Sequence, residues 1–528
     1  MSRLFPLLSL ALVLVATGCP SKPAAKPQTA ATASATADQS TAEDILGSAI
    51  LQLQPENLGI DSDLESAVSV LNSWAGLAKA TRPDSLKPPV VDWSTVAESL
   101  VDPSVRKLLS EPAYTQLDGR HIRICFLAHA IGRAMTEGVS DDVARATRLF
   151  DYTMRNIVRL GDDELAFPLT PYELLVAGRG TPEDRAWVFA TLLRQWRLDA
   201  VVLRSPREGA PENWLIGVPI KGEIYLYDPR LGVPVPNWET AEGKTRFEQP
   251  GTLTQVIEHP DWLTRLGQDA DVEPMSVDDL KSSLVEMIAE PTYWSDRMWL
   301  LEQSLPAESV CLLYDAPAKT AEEPGMFGRI ALVESLNRPD SWRVWSYPFR
   351  QQYNMGRMDE RMMQAMQLTM ATFAVPFEMN PETKQVQPTN RQLRTRIDQL
   401  LGRWAEATTG YLAIRQLGMT PNPSAEMNRI QQLSAEDAQF WTAVCKYELK
   451  EWDGAIEILD GYRRRYRRGR WVSDAILLTA QCQMEAGRID EAITTLESAD
   501  SNDRNADVIA LWLTQWKSLK PAEKVSEQ

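Results

Sequence analysis

The chain has 528 residues, too many for one ordinary core, and 44% of them are apolar, which excludes a globally disordered protein. Its formal net charge of −17 argues against a general nucleic-acid binder, which needs a basic face. Cys125, Cys311, Cys445 and Cys482 are scattered and none belongs to a CxxC pair, so buried free thiols are expected rather than a disulfide framework. His121, His129 and His259 are the only histidines; they do not offer a zinc-ligand spacing, and no cofactor or metal is called for.

The N-terminus reads as an export signal. Arg3 supplies a short basic region, and residues 4–16 form an apolar run too short to span a bilayer as a helix. The ending Ala16-Thr17-Gly18-Cys19 resembles the lipobox of bacterial lipoproteins, which implies diacylation of Cys19 and attachment to a membrane, facing the periplasm or cell envelope. The alternative is an ordinary cleaved signal with an incidental cysteine. Residues 19–45, rich in Pro, Ala, Thr and Ser, read as the acylated cysteine and a flexible tether.

Residues 46–140 read as a helical segment, with helices expected over 61–80 and 122–135. In residues 141–160, Val143, Ala146, Phe150, Met154, Ile157 and Leu160 recur at three and four and form one buried stripe, capped by Ser140-Asp141-Asp142. Thr181-Pro182-Glu183-Asp184 then starts another helix: an N-cap, a proline at the first helical position and carboxylates facing the positive end of the dipole. Residues 199–203 read as a buried strand. Residues 214–220 and 223–227 read as two more, joined by a hairpin at Lys221-Gly222 and closed by the turn Asp228-Pro229. Residues 266–390 read as an α-rich region of uncertain boundary, with helical runs over 280–305 and 358–373 and a short apolar run at 310–314.

Residues 391–520 read as helical throughout. YELKEWDGAIEIL (447–459) and MEAGRIDEAITTL (484–496) align without a gap, with Trp452 on Ile489, Ala455 on Ala492 and Ile456 on Ile493. This resembles the tetratricopeptide repeat, in which a small alanine lets paired helices pack closely; the period is slightly longer than the usual value of about 34. Two repeats bury little surface alone, so residues 392–417 are expected to stack on them as a further pair. The alternative is a generic helical hairpin array. Between the repeats lies YRRRYRRGRW, whose Arg463, Arg464, Arg465, Arg467 and Arg468 suit an anionic partner such as an envelope polymer; the plainer reading is a solvated helix end.

The order helix, strand, hairpin, Asp-Pro in residues 141–265 resembles the transglutaminase-like branch of the papain-like thiol superfamily. The resemblance implies an α+β fold, with a helix packed on an antiparallel sheet and a Cys-His-Asp triad. Gly180, Asp184 and Leu192-Leu193-Arg194 match the motif around the nucleophile, Trp214 matches the tryptophan of its His-Ala-Trp strand, and Asp228 matches the triad aspartate. The nucleophile position then falls on Pro182 and the histidine position on Glu212, so only Asp228 remains. A proline has no nucleophilic atom, and a glutamate beside a thiol would raise its pKa.

The expected protein is thus a non-catalytic, lipid-anchored scaffold that holds a protein partner through its C-terminal repeats. Two alternatives stay open. One is a peptide- or glycan-binding module that uses the old cleft, with Arg185, Trp187 and Trp214 as its first candidates. The other is a hydrolase or transferase with a non-thiol site, such as a Glu212–Asp228 carboxylate pair or Thr181 as nucleophile.

Overall fold

The computed structural model describes residues 34–57, 62–81, 87–96, 100–101, 103–161, 164–207, 213–241, 243–373, 377–379, 386–388, 391–418, 425–500 and 503–519. The export signal, the lipobox Cys19 and residues 20–33 of the tether lie outside them, as does Glu212.

Helix α1 (Ser34–Leu53) opens the described chain, so the tether expected over residues 19–45 gives way to helix before its end. Ala42, Leu46, Ala49, Ile50 and Leu53 recur at helical spacing and are buried. They pack on Leu64, Ala67, Val68 and Leu71 of α2 (Ser62–Thr81). Beyond the short helix Pro103–Leu109 come α3 (Gln116–Met135), α4 (Asp142–Asn156) and α5 (Pro171–Ala177). Helices α3 and α4 are capped by Thr115 and Asp141, whose side chains accept from Asp118 N and Ala144 N. Helix α6 (Pro182–Arg194) starts at the expected Thr181 cap.

The strands of the main sheet are β1 (Val201–Arg204), β2 (Trp214–Ile220), β3 (Glu223–Asp228), β4 (Val233–Pro234), β5 (Leu284–Met287) and β6 (Trp342–Val344). They form one sheet in the order β4-β3-β2-β1-β5-β6, antiparallel except for the β5/β6 pair. The β2/β3 hairpin turns on Lys221 (φ 54°) and Gly222 (φ 87°), the two positive φ values that a tight two-residue turn requires. Side chains alternate between two cores. Val201, Leu203, Leu215, Ile224, Leu226, Val285 and Met287 join the core shared with α1 and α2. Val202, Trp214, Ile216, Val218 and Tyr227 face α3, α4 and α6.

Two expectations for residues 266–390 change. The run expected to be helical over 280–305 is a short helix, strand β5 and then a second helix (Asp296–Ser304). The α-rich region therefore supplies two strands to this sheet and an antiparallel pair of its own, Phe377–Met379 with Val386–Pro388, and the boundary placed at residue 265 cuts through the sheet.

The C-terminal part is helical, as expected: α7 (Arg391–Leu400), α8 (Trp404–Leu417), α9 (Ala425–Glu448), α10 (Trp452–Arg465), α11 (Val472–Glu485), α12 (Ile489–Glu497) and α13 (Ala506–Ser518). Each of these helices packs against the next in the chain. Ala455 and Ala492, the aligned small residues, are both fully buried.

Candidate functional site

At the start of α6 the two ends of a capping box close on each other. Asp184 N donates to Thr181 Oγ1 at 3.2 Å, and Thr181 N donates to Asp184 Oδ2 at 2.8 Å. Tyr347 adds a hydroxyl donor to Asp184 Oδ1 at 2.8 Å. Burial pushes the Asp184 pKa up to about 6, against these donors, which favour its ionised form. Pro182 occupies the first helical position. The Thr181 hydroxyl is held between Asp184 Oδ2 and Tyr347, at 3.1 Å from each. At the far end of the helix, Arg194 reaches Asp315 and donates to Ile288 O at 2.8 Å.

Asp228 is equally engaged. Its Oδ1 accepts from the backbone of Arg230 (2.8 Å) and Leu231 (3.2 Å), and its Oδ2 accepts from Arg230 Nη2 at 2.6 Å. Arg230 in turn donates to Asn213 Oδ1 at 2.6 Å. Of the residues read from the resemblance, Pro182 and Asp184 thus join the Thr181 cap in starting the helix, and Asp228 builds its own turn. Trp187 and Trp214 are 2% and 1% exposed, and Trp187 Nε1 donates to Glu290 Oε1 at 2.7 Å. Neither ring presents a face to solvent.

Among the described residues one cysteine and one histidine touch, four apart on one helix, a spacing legible in the sequence but not paired above. Cys125 Sγ lies 3.6 Å from His121 Nε2 inside α3 and donates to the Tyr293 hydroxyl at 3.4 Å. Both side chains are buried. Burial pushes the thiol pKa well up and the imidazole pKa down to about 4. The pair is therefore a neutral thiol beside a neutral imidazole, the reverse of an activated nucleophile.

The helical array is clamped to the sheet-bearing part by charged groups. Arg159 makes a bidentate pair with Asp507 (2.6 and 2.8 Å), Arg155 pairs with Glu448 at 2.7 Å, and Arg504 pairs with Glu164 at 3.0 Å. Arg396, fully buried, donates to the carbonyls of Leu175 (3.0 Å) and Asn156 (2.8 Å) and lies 3.8 Å above the Trp441 ring. Helices α9, α11 and α13 turn their inner faces to α4 and to the turn after β3. The loop before Pro250 sits on that inner face. Phe247 stacks on Trp512 at 5.1 Å, Trp516 Nε1 donates to Thr245 O at 3.2 Å, and Arg246 pairs with Glu485 at 2.6 Å. This loop was not singled out from the sequence. Its contacts with the array form only when α11 and α13 fold back across the chain.

Beneath the loop is a cavity of 250 Å³. Its apolar wall includes Leu231, Val233, Phe440 and Leu477, and Arg185 lines it. Arg185 is 7% exposed and donates through Nε to Ile157 O (2.8 Å) and through Nη1 to Pro229 O (3.1 Å). Burial, with the positive charge of Arg159 nearby, draws its pKa down to about 9, so it remains charged at neutral pH.

The arginine run straddles the end of α10. Tyr462 and Trp471 are buried anchors: the Tyr462 hydroxyl donates to Glu436 Oε1 at 2.7 Å, and Trp471 Nε1 donates to Asp437 Oδ1 at 2.8 Å. Arg470 pairs with Asp437 at 2.5 Å. Arg464, Arg465, Arg467 and Arg468 stay exposed and Arg463 half-buried. None of these five has an ion-pair partner among the described residues.

A family model described as tetratricopeptide repeat matches residues 437–468 and 474–504. Those two segments take in α10 and α12, the second half of α9 and nearly all of α11, so the C-terminal array contains tetratricopeptide repeats. Such repeats generally mediate protein–protein interaction. No curated protein and no solved structure matches the chain. No described helix is long and apolar enough to cross a membrane.

Proposed function

We propose that this chain is a lipid-anchored envelope protein of a bacterium, held through Cys19, which works as a non-catalytic scaffold and holds a protein partner on its C-terminal repeats. The observation that carries the reading is the pair of tetratricopeptide repeats, stacked and fixed to the rest of the chain by the Arg159, Arg155 and Arg504 ion pairs. The degenerate transglutaminase-like reading supports the non-catalytic part. At the nucleophile position stands Pro182, and the Asp228 carboxylate is committed to Arg230 and its own turn. The four unpaired exposed arginines after Tyr462 offer the array a cationic edge in an otherwise acidic chain, suited to an acidic segment of the partner.

Two substitutions test the reading. Cys19→Ser should abolish incorporation of labelled fatty acid and release the chain from membranes; continued membrane attachment contradicts the anchor. Reversing the edge with R464E, R465E, R467E and R468E together should abolish recovery of the cross-linked partner. If retention on an anionic envelope polymer is lost instead while the protein partner stays, the polymer is what the edge binds.

A further inference from the structure

We propose that the cavity between the repeat array and the turn after β3 is a binding site for a small monocarboxylate with an apolar body, whose carboxylate pairs with Arg185. This inference does not rest on the scaffold reading above.

A guanidinium carries five N–H donors. Arg185 uses Nε and Nη1 on two backbone carbonyls and makes no ion pair among the described residues, although it is 7% exposed. Burying a charge without a counter-ion is costly, and the cost falls when an anion joins it. The other arginines of the region are spoken for: Arg159 by Asp507, Arg155 by Glu448, Arg246 by Glu485 and Arg504 by Glu164 and Asp474. Arg155 and Arg246 line the cavity too, but of the three arginines there Arg185 alone has no ion pair among the described residues.

Four carboxylates also line the cavity, and their placement sets the class of ligand. Asp474 is taken by Arg504 and Asn505, and Glu485 by Arg246. Glu248 is exposed at the rim. Asp151 lies in the field of Arg155 and Arg246, whereas the charges that act on Arg185 are Arg159, Asp507 and Arg504. Arg155 and Arg246 are already paired with Glu448 and Glu485, which leaves Arg185 as the one lining cation open to charge pairing and suits a ligand with a single carboxylate. Met154, Leu231, Val233, Phe440 and Leu477 also line the cavity, apolar surface that selects a hydrocarbon body. A volume of 250 Å³ suits a short-chain acid and is too small for a folded segment.

The test is titration calorimetry of the full chain with hexanoate and with its neutral twin, hexanamide. Hexanoate should bind one to one with a millimolar constant, and hexanamide about tenfold more weakly or worse, because a hydrogen-bonded charge pair is lost. Arg185→Gln should bring hexanoate binding down to the hexanamide level. Leu477→Trp, which fills the cavity and leaves Arg185 in place, should abolish both. Absence of saturable hexanoate binding overturns the proposal, as does equal affinity for the amide or undiminished binding in a folded L477W chain. The amide comparison needs no variant, so it decides the matter even if R185Q does not fold.

Discussion

Gly178 ends α5 in the left-handed region at φ 72°, and its N–H closes on Leu174 O at 2.8 Å. An alanine there would place its Cβ 2.3 Å from Trp441 Cζ2 and 3.0 Å from Arg396 Nη2. Neither neighbour can yield easily. Trp441 is 2% exposed, and the Arg396 guanidinium above it is pinned to two carbonyls. Gly138 provides the control, with φ 74° and no atom within 4 Å of the same hypothetical Cβ. The backbone term is shared by both sites and costs about 1–2 kcal/mol. The overpacking term belongs to Gly178 alone and adds about 1–3 kcal/mol. Gly178→Ala should therefore lose more unfolding free energy than Gly138→Ala by that second amount, read from urea denaturation followed by tryptophan fluorescence. Equal losses at the two sites would refute the reasoning, because Trp441 of the array would then not be seated on the turn after α5.

Three further outcomes are expected. His121 is buried neutral with its pKa drawn down to about 4, so the unfolded chain binds a proton that the folded chain does not as pH falls below about 6.5. Wild type should lose about 3 kcal/mol relative to His121→Gln between pH 6.5 and 4, and parallel pH profiles would contradict the buried neutral imidazole. Cys125, Cys311, Cys445 and Cys482 are buried with thiol pKa values pushed up by desolvation, so iodoacetamide at neutral pH should label all four far more slowly than in the urea-unfolded chain. Rapid labelling of Cys125 in the folded chain would indicate an activated thiol. Phe247→Ala removes a ring that is 4% exposed, stacked on Trp512 and edge-on to Trp238, which should cost about 3–5 kcal/mol by chemical denaturation. A loss below about 1 kcal/mol would place the loop off the array.

What the sequence revealed was local. The Thr181-Pro182-x-Asp184 cap, the Lys221-Gly222 turn and the repeat echo around Ala455 and Ala492 each depend on residues a few positions apart, and each forms where expected. What it concealed depends on distant partners. Residues 284–287 read as helix, yet Val285 and Met287 pair with Leu203 and Val201, a ladder that exists only once β1 is in place. The apolar run at 310–314 forms no strand because side chains supply its hydrogen bonds. Glu302 Oε2 accepts from Leu313 N and Tyr314 N, and Gln195 Oε1 accepts from Leu312 N. The cavity at Arg185 draws its walls from α4, the turn after β3 and three array helices, a combination no spacing in the sequence announces. Arg185 itself was a candidate for ligand contact, but as part of a cleft with Trp187 and Trp214. Those two rings lie in the core, and the open space is on the side of the array.

The most direct measurement places a photo-activated cross-linking amino acid at Arg464 and, separately, at Arg468 in cells that express the chain. Val90, 88% exposed and remote in sequence from the repeats, serves as the control position. A scaffold that holds its partner on the repeats should give one discrete protein adduct from both array positions and none from Val90. No adduct from the array, or the same adducts from Val90, would contradict the assignment of partner binding to the tetratricopeptide repeats.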